Sequence, residues 1–310
     1  MAQRILVTDN PLSDLAVMRE LAPAGFEIVV AGAGTADFAA ALPETDYMVG
    51  LGEIAMDDGF YRGAPRLRLV QLLSAGYDRV DIEAARRAKV PVCNNGGANA
   101  IAVAEHAMLL MLAVCRRLPW QHANVIAGRW RGNDVAGVRL YELSGRTLGI
   151  VGLGTIGKKT AALARAFGMA VQYYDIVRLS EDEADAHGVK FRLLGELLQS
   201  SDIVSLHVPL TPRTRHMIGA AELGLMKKTA YLINTCRGPV VDEAALHAAL
   251  SEGTISGAGL DVLDREPPAA DNRQFGLANV VLTPHFAGPT VDNQYSRFRN
   301  AFDNVQRVAR

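Results

Sequence analysis

Short apolar runs alternate with helix-like stretches along most of the chain. Residues 5–8, 27–30, 47–51, 69–73 and 90–93 have the brevity and branched character of strands, whereas 12–21, 37–42 and 81–89 carry helical spacing. This alternation predicts β–α repeats, and hence a parallel sheet buried on both faces. The rhythm breaks at Asn94-Asn-Gly-Gly-Ala98, a turn-rich stretch that reads as a domain boundary. Beyond it, residues 101–117 are apolar on nearly every face, which predicts a helix buried on all sides, with Asn99 placed to cap it. The repeat then resumes, with strands expected at 146–151, 170–175, 202–207, 229–234, 257–262 and 280–283. Helices are expected over 158–167 and 193–199, and again from about residue 291.

The most informative break between strand and helix is Val151-Gly-Leu-Gly-Thr-Ile-Gly157. In a Gly-x-Gly-x-x-Gly loop each glycine has its own task. Gly152 makes a tight turn, Gly154 admits a pyrophosphate close to the backbone, and Gly157 lets the helix pack near the strand. The helix N-terminus that follows then faces the phosphates with free N–H groups and the positive end of the helix dipole. Glycine loops also occur in ordinary turns, so a second feature matters. Asp175 ends the next strand about twenty residues on, where a carboxylate accepts both ribose hydroxyls of an adenine dinucleotide. That favours NAD over NADP, although Arg178 is near enough to meet a 2′-phosphate. The lesser reading of Asp175 is a plain strand-end turn former.

Later strand ends present chemistry of their own. His207-Val-Pro209 would flank the adenine or its ribose, stiffened by the proline. Thr235-Cys-Arg-Gly238, Leu263-Asp-Arg-Glu-Pro-Pro268 and Pro284-His-Phe-Ala-Gly288 bring an arginine, an acid and a histidine to the ends of three strands. Taken singly, these fit a surface arginine, a loop acid and a turn histidine as well as a reaction centre. In the first half, Ser74-Ala-Gly-Tyr-Asp78 follows a strand; its amides either hold a carboxylate or merely turn the chain. Glu105 and His106 read as packed structural residues.

Composition adds bounds. At 310 residues and 33.3 kDa the chain exceeds one ordinary core, so two domains are expected. A net charge of -1 with interspersed signs gives no footprint for nucleic acid or an anionic membrane. Cys93, Cys115 and Cys236 are dispersed and lack CxxC spacing, which suggests neither a disulfide framework nor a metal site and fits a reducing cytoplasm. The N-terminus enters a strand pattern directly, and the longest apolar run, 107–115, is too short to span a bilayer. The expected partners are a small molecule and a second copy of the chain.

The order Gly152-x-Gly154-x-x-Gly157, Asn234-x-x-Arg237-Gly238, Asp261-Val-x-x-x-Glu266-Pro and Thr283-Pro-His285 resembles the NAD-dependent D-isomer-specific 2-hydroxyacid dehydrogenase family. Ser74-Ala-Gly-Tyr-Asp78 and Ala104-Glu-His106 match it too, so the resemblance spans practically the whole chain. It implies an α/β fold of two doubly wound parallel-sheet domains. A Rossmann NAD-binding domain, 99–286, would be inserted into a flavodoxin-like substrate domain, 1–98 and 287–310, with dimerisation through the helix and arm of 99–141. It also implies cofactor contacts at Gly152, Gly154, Thr155, Ile156, Gly157, Asp175, His207, Val208, Pro209, Thr235, Cys236, Asp261 and His285. Arg237 would bind the substrate's carboxylate and carbonyl oxygen, His285 would be the acid/base, and Glu266 would hydrogen-bond His285. Ser74, Ala75 and Gly76 would complete the carboxylate seat. Formate dehydrogenases of the wider group carry glutamine in place of Glu266, and an acid there suits proton exchange with substrate.

Two departures from the family pattern stand out. Phe286 and Pro289 replace the small residues usual after the histidine, and the chain stops at Arg310, soon after its last helix begins. The loop Val49-Gly-Leu-Gly-Glu-Ile-Ala55, which by resemblance faces the substrate, has no arginine or lysine, so a small unphosphorylated acid such as glyoxylate or hydroxypyruvate is favoured. The alternatives are a D-3-phosphoglycerate dehydrogenase-like enzyme and an NAD(H)-sensing binding protein akin to the corepressors that share this fold.

Overall fold

The computed structural model describes residues 2–52, 54–130 and 138–310. Glu53 of the expected substrate loop and residues 131–137 of the expected dimer arm lie outside the described residues. The chain divides into two units, Met1–Asn99 with Gly288–Arg310, and Ala100–Ala287. Each division falls one residue after the boundary expected from the sequence.

The first unit holds β1 (Gln3–Asp9), β2 (Phe26–Gly32), β3 (Tyr47–Gly50), β4 (Leu69–Leu72) and β5 (Val92–Cys93), in the order β2-β1-β3-β4-β5. Every pairing is parallel. Successive side chains of a strand point to opposite faces, and both faces here are covered. Ile5 and Val7 meet Phe298, Ala301, Phe302 and Val305 of the C-terminal helix Val291–Ala309, while Leu6 meets Phe38, Phe60 and Ala84 on the other face. The buried guanidinium of Arg297 ties this helix down by donating to the carbonyls of Leu73, at 3.0 Å, and Leu12. The last segment is thereby fixed to the ends of the strands that open the chain.

The second unit holds β6 (Thr147–Val151), β7 (Ala170–Tyr174), β8 (Val189–Phe191), β9 (Ile203–Leu206), β10 (Tyr231–Asn234), β11 (Gly257–Leu260) and β12 (Val280–Leu282). Their order is β12-β11-β10-β9-β6-β7-β8, again parallel throughout. The order reverses between β6 and β9, and the crevice beyond the carboxyl ends of strands at such a reversal is where open α/β sheets bind ligands. The helix Ala100–Cys115 lies close on β11: a Cβ at Gly259 would stand 2.9 Å from that of Leu110. Within the chain this helix is not covered all round. Ile101 is 61% and Leu109 49% exposed, and Glu105 shares their stripe.

The helix after the glycine loop begins at Thr155, three residues before the expected start. Gly154 occupies the N-cap with no side chain to bond the first turn, so the usual polar starting signal is missing. The helices Glu181–His187 and Glu243–Ser251 and the three-residue β8 were not expected, although Ser180 and Glu183 form a capping box and Asp242 caps the second helix. Among the described residues no helix is long and apolar enough to cross a membrane.

Candidate active site

The glycine loop has the geometry its sequence requires. Gly152 adopts φ +97, and a Cβ there would meet the carbonyl oxygen of His207 at 2.7 Å. A Cβ on Gly157 would run into the carbonyl oxygen of Gly152, so the helix touches the loop backbone directly. At Gly154 nothing lies within 4 Å, leaving open space beside the first helical amides. An anion fits that space because those amides have no partners within the helix.

Asp175 follows β7 and has backbone partners of its own. One carboxylate oxygen accepts from the Leu153 amide at 2.7 Å and the other from the Val177 amide at 3.0 Å. It therefore pins the glycine loop, and each oxygen keeps a lone pair for a sugar hydroxyl. Arg178 lies over the Phe191 ring, 5.0 Å from its centroid. At the end of β9, burial pushes the His207 imidazole down to about 4, and its Nε2 is engaged with the Ser205 hydroxyl at 2.9 Å. His207 is consequently neutral near pH 7 and unsuited to donating a proton. Val208 packs on the core below, and the exposed Pro209 turns the chain with its carbonyl accepting from Thr214 at 2.6 Å.

After β10 the loop is folded by a residue given no role from the sequence. The Asn234 side chain accepts from the Cys236 amide at 3.0 Å and donates to the Arg237 carbonyl at 3.0 Å. Asparagine is poor in strands and bonds readily to nearby backbone, and that was the available signal. Gly238 then passes so close to the Leu263 carbonyl that a Cβ has no room, which sets the Arg237 loop against the loop of Glu266. Burial pushes the Cys236 thiol up to about 11, so it stays protonated. The Thr235 hydroxyl is buried without a partner among the described residues. An orphaned hydroxyl, an open glycine loop and an acceptor at Asp175 together fit an adenine dinucleotide.

The acid and the histidine meet. Glu266 Oε2 lies 2.7 Å from His285 Nδ1, and its Oε1 accepts from the Leu263 amide at 3.1 Å. Burial raises the Glu266 carboxyl, but the bond from His285 and that residue's charge, helped by the Leu263 amide and Arg237, hold it below its usual value. The His285 side chain is 47% exposed, so with Nδ1 engaged its Nε2 is the nitrogen left to face a substrate. His285 has φ +58, a left-handed conformation that costs a non-glycine residue about 1–3 kcal/mol. Asp261, 2% exposed, holds it there: its carbonyl accepts from the His285 amide at 2.8 Å, and its carboxylate accepts from Phe286 at 2.8 Å and Ala287 at 3.0 Å. Asp261, expected at the cofactor, thus scaffolds the histidine loop. Phe286 and Pro289 do not disturb this arrangement, because the Asp261 contacts run to backbone amides.

Ser74, Ala75 and Gly76 belong to the other unit, at the carboxyl end of β4. Ser74 Oγ donates to the Gly76 carbonyl at 2.8 Å, and Asn94 donates to the Ala75 carbonyl at 2.7 Å. The Gly76 carbonyl is thus occupied from within the loop and the Ala75 carbonyl from the turn after β5.

The comparisons with known proteins converge. The family described as D-isomer specific 2-hydroxyacid dehydrogenase, NAD binding domain, matches residues 108–287. A glyoxylate reductase of Korarchaeum cryptofilum is 43% identical over 245 residues, covering 79% of this chain and 74% of the relative. A D-3-phosphoglycerate dehydrogenase of Methanocaldococcus jannaschii is 36% identical over 308 residues, 99% of this chain and 57% of the relative. Among solved structures, D-lactate dehydrogenase of Aquifex aeolicus complexed with NAD and lactic acid aligns with a TM-score of 0.86 at 29% identity, covering 98% of this chain and 94% of that one.

Proposed function

Because the chain belongs to the D-isomer specific 2-hydroxyacid dehydrogenase family of NAD-dependent oxidoreductases, we propose that it reduces a small unphosphorylated 2-keto acid, glyoxylate or hydroxypyruvate above all. The observation that carries this reading is the 2.7 Å pair of Glu266 and His285, made through Nδ1 on a half-exposed histidine side chain.

Gly152, Gly154, Thr155, Ile156, Gly157 and Asp175 hold the dinucleotide, with His207 to Pro209, Thr235 and Cys236 lining it and Asp261 bracing the histidine loop beside it. Bound NADH supplies a hydride to the carbonyl carbon. The Arg237 guanidinium binds the substrate carboxylate and the developing alkoxide. His285 gives its Nε2 proton to the carbonyl oxygen, which becomes the hydroxyl of the product, and the neutral ring takes a proton back from solvent. Glu266 fixes the ring and favours the imidazolium that must donate.

The substrate preference is supported by the glyoxylate reductases at 43% and 44% identity and by a loop, 49–55, without a cationic side chain. NADH oxidation with glyoxylate, hydroxypyruvate, pyruvate and 3-phosphohydroxypyruvate, for wild type and His285→Ala, tests the reading. Turnover confined to the phosphorylated acid would replace it with the phosphoglycerate reading, and dinucleotide binding without turnover on any acid would leave the sensor reading. We place the enzyme in the cytoplasm as a homodimer through 99–141. The exposed Ile101, Leu109, Leu118, Val125, Ile126 and Trp130 support that interface, and the three free thiols suit a reducing compartment. Sedimentation at assay concentration checks the dimer; a monomer would refute it.

A further inference from the structure

We propose that His106, on the helix Ala100–Cys115, is a positioning residue for His285, acting through Thr283 and Asp261. The proposal rests on the assignment of His285 as the acid/base. His106 Nε2 lies 2.9 Å from the Thr283 hydroxyl, and that hydroxyl donates to Asp261 Oδ1 at 2.6 Å. The direction of the chain is fixed from its far end. Asp261 already accepts the amides of Phe286 and Ala287, so it acts as an acceptor, and Thr283 must give it a hydrogen. With its hydrogen spent, the Thr283 oxygen can only accept, so His106 donates through Nε2–H. The side chains are sheltered, 14% exposed at His106 and 1% at Asp261, where a hydrogen bond is strong and a lost partner is costly.

The chain ends on the backbone that holds His285 in its left-handed conformation. His106 orients Thr283, Thr283 fixes one oxygen of Asp261, and that carboxylate sets the amides of Phe286 and Ala287 directly after the catalytic ring. A reach of 177 residues between His106 and Thr283 joins the first helix of the unit to its last strand end. The role requires an N–H donor at the position of Nε2 and nothing else of the imidazole.

The test uses His106→Ala, His106→Gln, Thr283→Val and the double variant, with NADH and the best acid of the panel. The Ala variant should lose about 10- to 100-fold in kcat, as a displaced catalytic group does, while the Kd for NADH stays within about twofold. Glutamine, whose amide N–H reaches a similar point, should restore most of the loss, and the double variant should fall no further than the worse single one, since both break one chain. Wild-type kcat in His106→Ala, no rescue by glutamine, additive losses, or NADH affinity collapsing together with kcat would each overturn the proposal. If His106→Ala matches wild type while His285→Ala is inactive, the proposal fails and the His285 assignment stands; wild-type activity in His285→Ala sinks both. Independently of turnover, the His106 ring should carry its proton on Nε2 in nitrogen-15 NMR spectra, and a bare Nε2 would refute the chain.

Discussion

Replacing Glu266 by glutamine keeps an oxygen to accept the Nδ1 hydrogen of His285 and removes the charge. Two unit charges about 4 Å apart attract by about 4 kcal/mol at an effective dielectric near 20. Solvent reduces this, because the His285 side chain is 47% and that of Glu266 24% exposed, and fully exposed pairs retain only about 0.2–1 kcal/mol. A value between these, near 1.4 kcal/mol, corresponds to about one pH unit. Keto-acid reduction needs a proton from the ring, so activity falls as pH rises. Loss of the carboxylate should therefore move that falling limb of kcat/KM to lower pH by about one unit, measured by NADH oxidation from pH 5 to 10. A second readout follows from linkage. The folded Glu266 carboxyl lies below its usual value, so its contribution to stability is present above the ordinary carboxylate range and is lost as pH falls through the folded value. The Tm difference between wild type and Glu266→Gln should accordingly be present at pH 7 and close below about pH 4. A pH profile that does not move, with lower kcat throughout, would refute the electrostatic role and leave Glu266 as an orienting group alone.

Other perturbations separate binding from folding. Gly154→Ala fills open space and Gly157→Ala strikes the Gly152 carbonyl, so both should weaken NADH in a titration. Only Gly157→Ala should also lower Tm, by about 1–3 kcal/mol of overpacking at about 2–4 °C per kcal/mol. Asp175→Ala should weaken NADH at least about tenfold, by analogy with a lost charged hydrogen bond, and narrow its advantage over NADPH. Because Asp175 also anchors Leu153 and Val177, NADPH binding should suffer somewhat too; equal loss with both cofactors would leave Asp175 only a loop anchor. Arg237→Ala should raise KM and lower kcat together, since the guanidinium serves ground and transition states alike, and an unchanged KM would remove it from the substrate.

Much of this arrangement was legible because it is local. A glycine loop between an apolar run and a helix, an acid after the next strand, and polar residues at later strand ends all lie within a few residues of the backbone feature that positions them. What escaped depends on contacts between distant segments. The Asp261 carboxylate turns toward Phe286 and Ala287, 25 and 26 residues on, and His106 reaches Thr283 from another element altogether. The start of the helix at Thr155 was misplaced for a different reason, since a glycine cap leaves no polar side chain to mark it.

The two histidines at strand ends make the same point about chemistry. His207 follows β9 and His285 lies just beyond β12, and by position each could serve a reaction at the sheet's carboxyl edge. Burial pushes the His207 ring down to about 4 and so keeps it neutral near pH 7, with its Nε2 against the Ser205 hydroxyl. His285 is instead held by Asp261 in a left-handed turn, with Nδ1 on Glu266 and the side chain half-exposed. On the proposed mechanism, the histidine that gives the proton is thus set apart by the bonds of one buried aspartate. Asp261→Asn tests this: one of its two oxygens becomes an NH2 group, which donates and cannot accept, so one of the Phe286 and Ala287 amides loses its acceptor and the turn should relax. NADH-oxidation assays should then show a large fall in kcat, about 100-fold for a displaced acid/base, with NADH still bound; full activity in Asp261→Asn would mean that the turn holds without its scaffold.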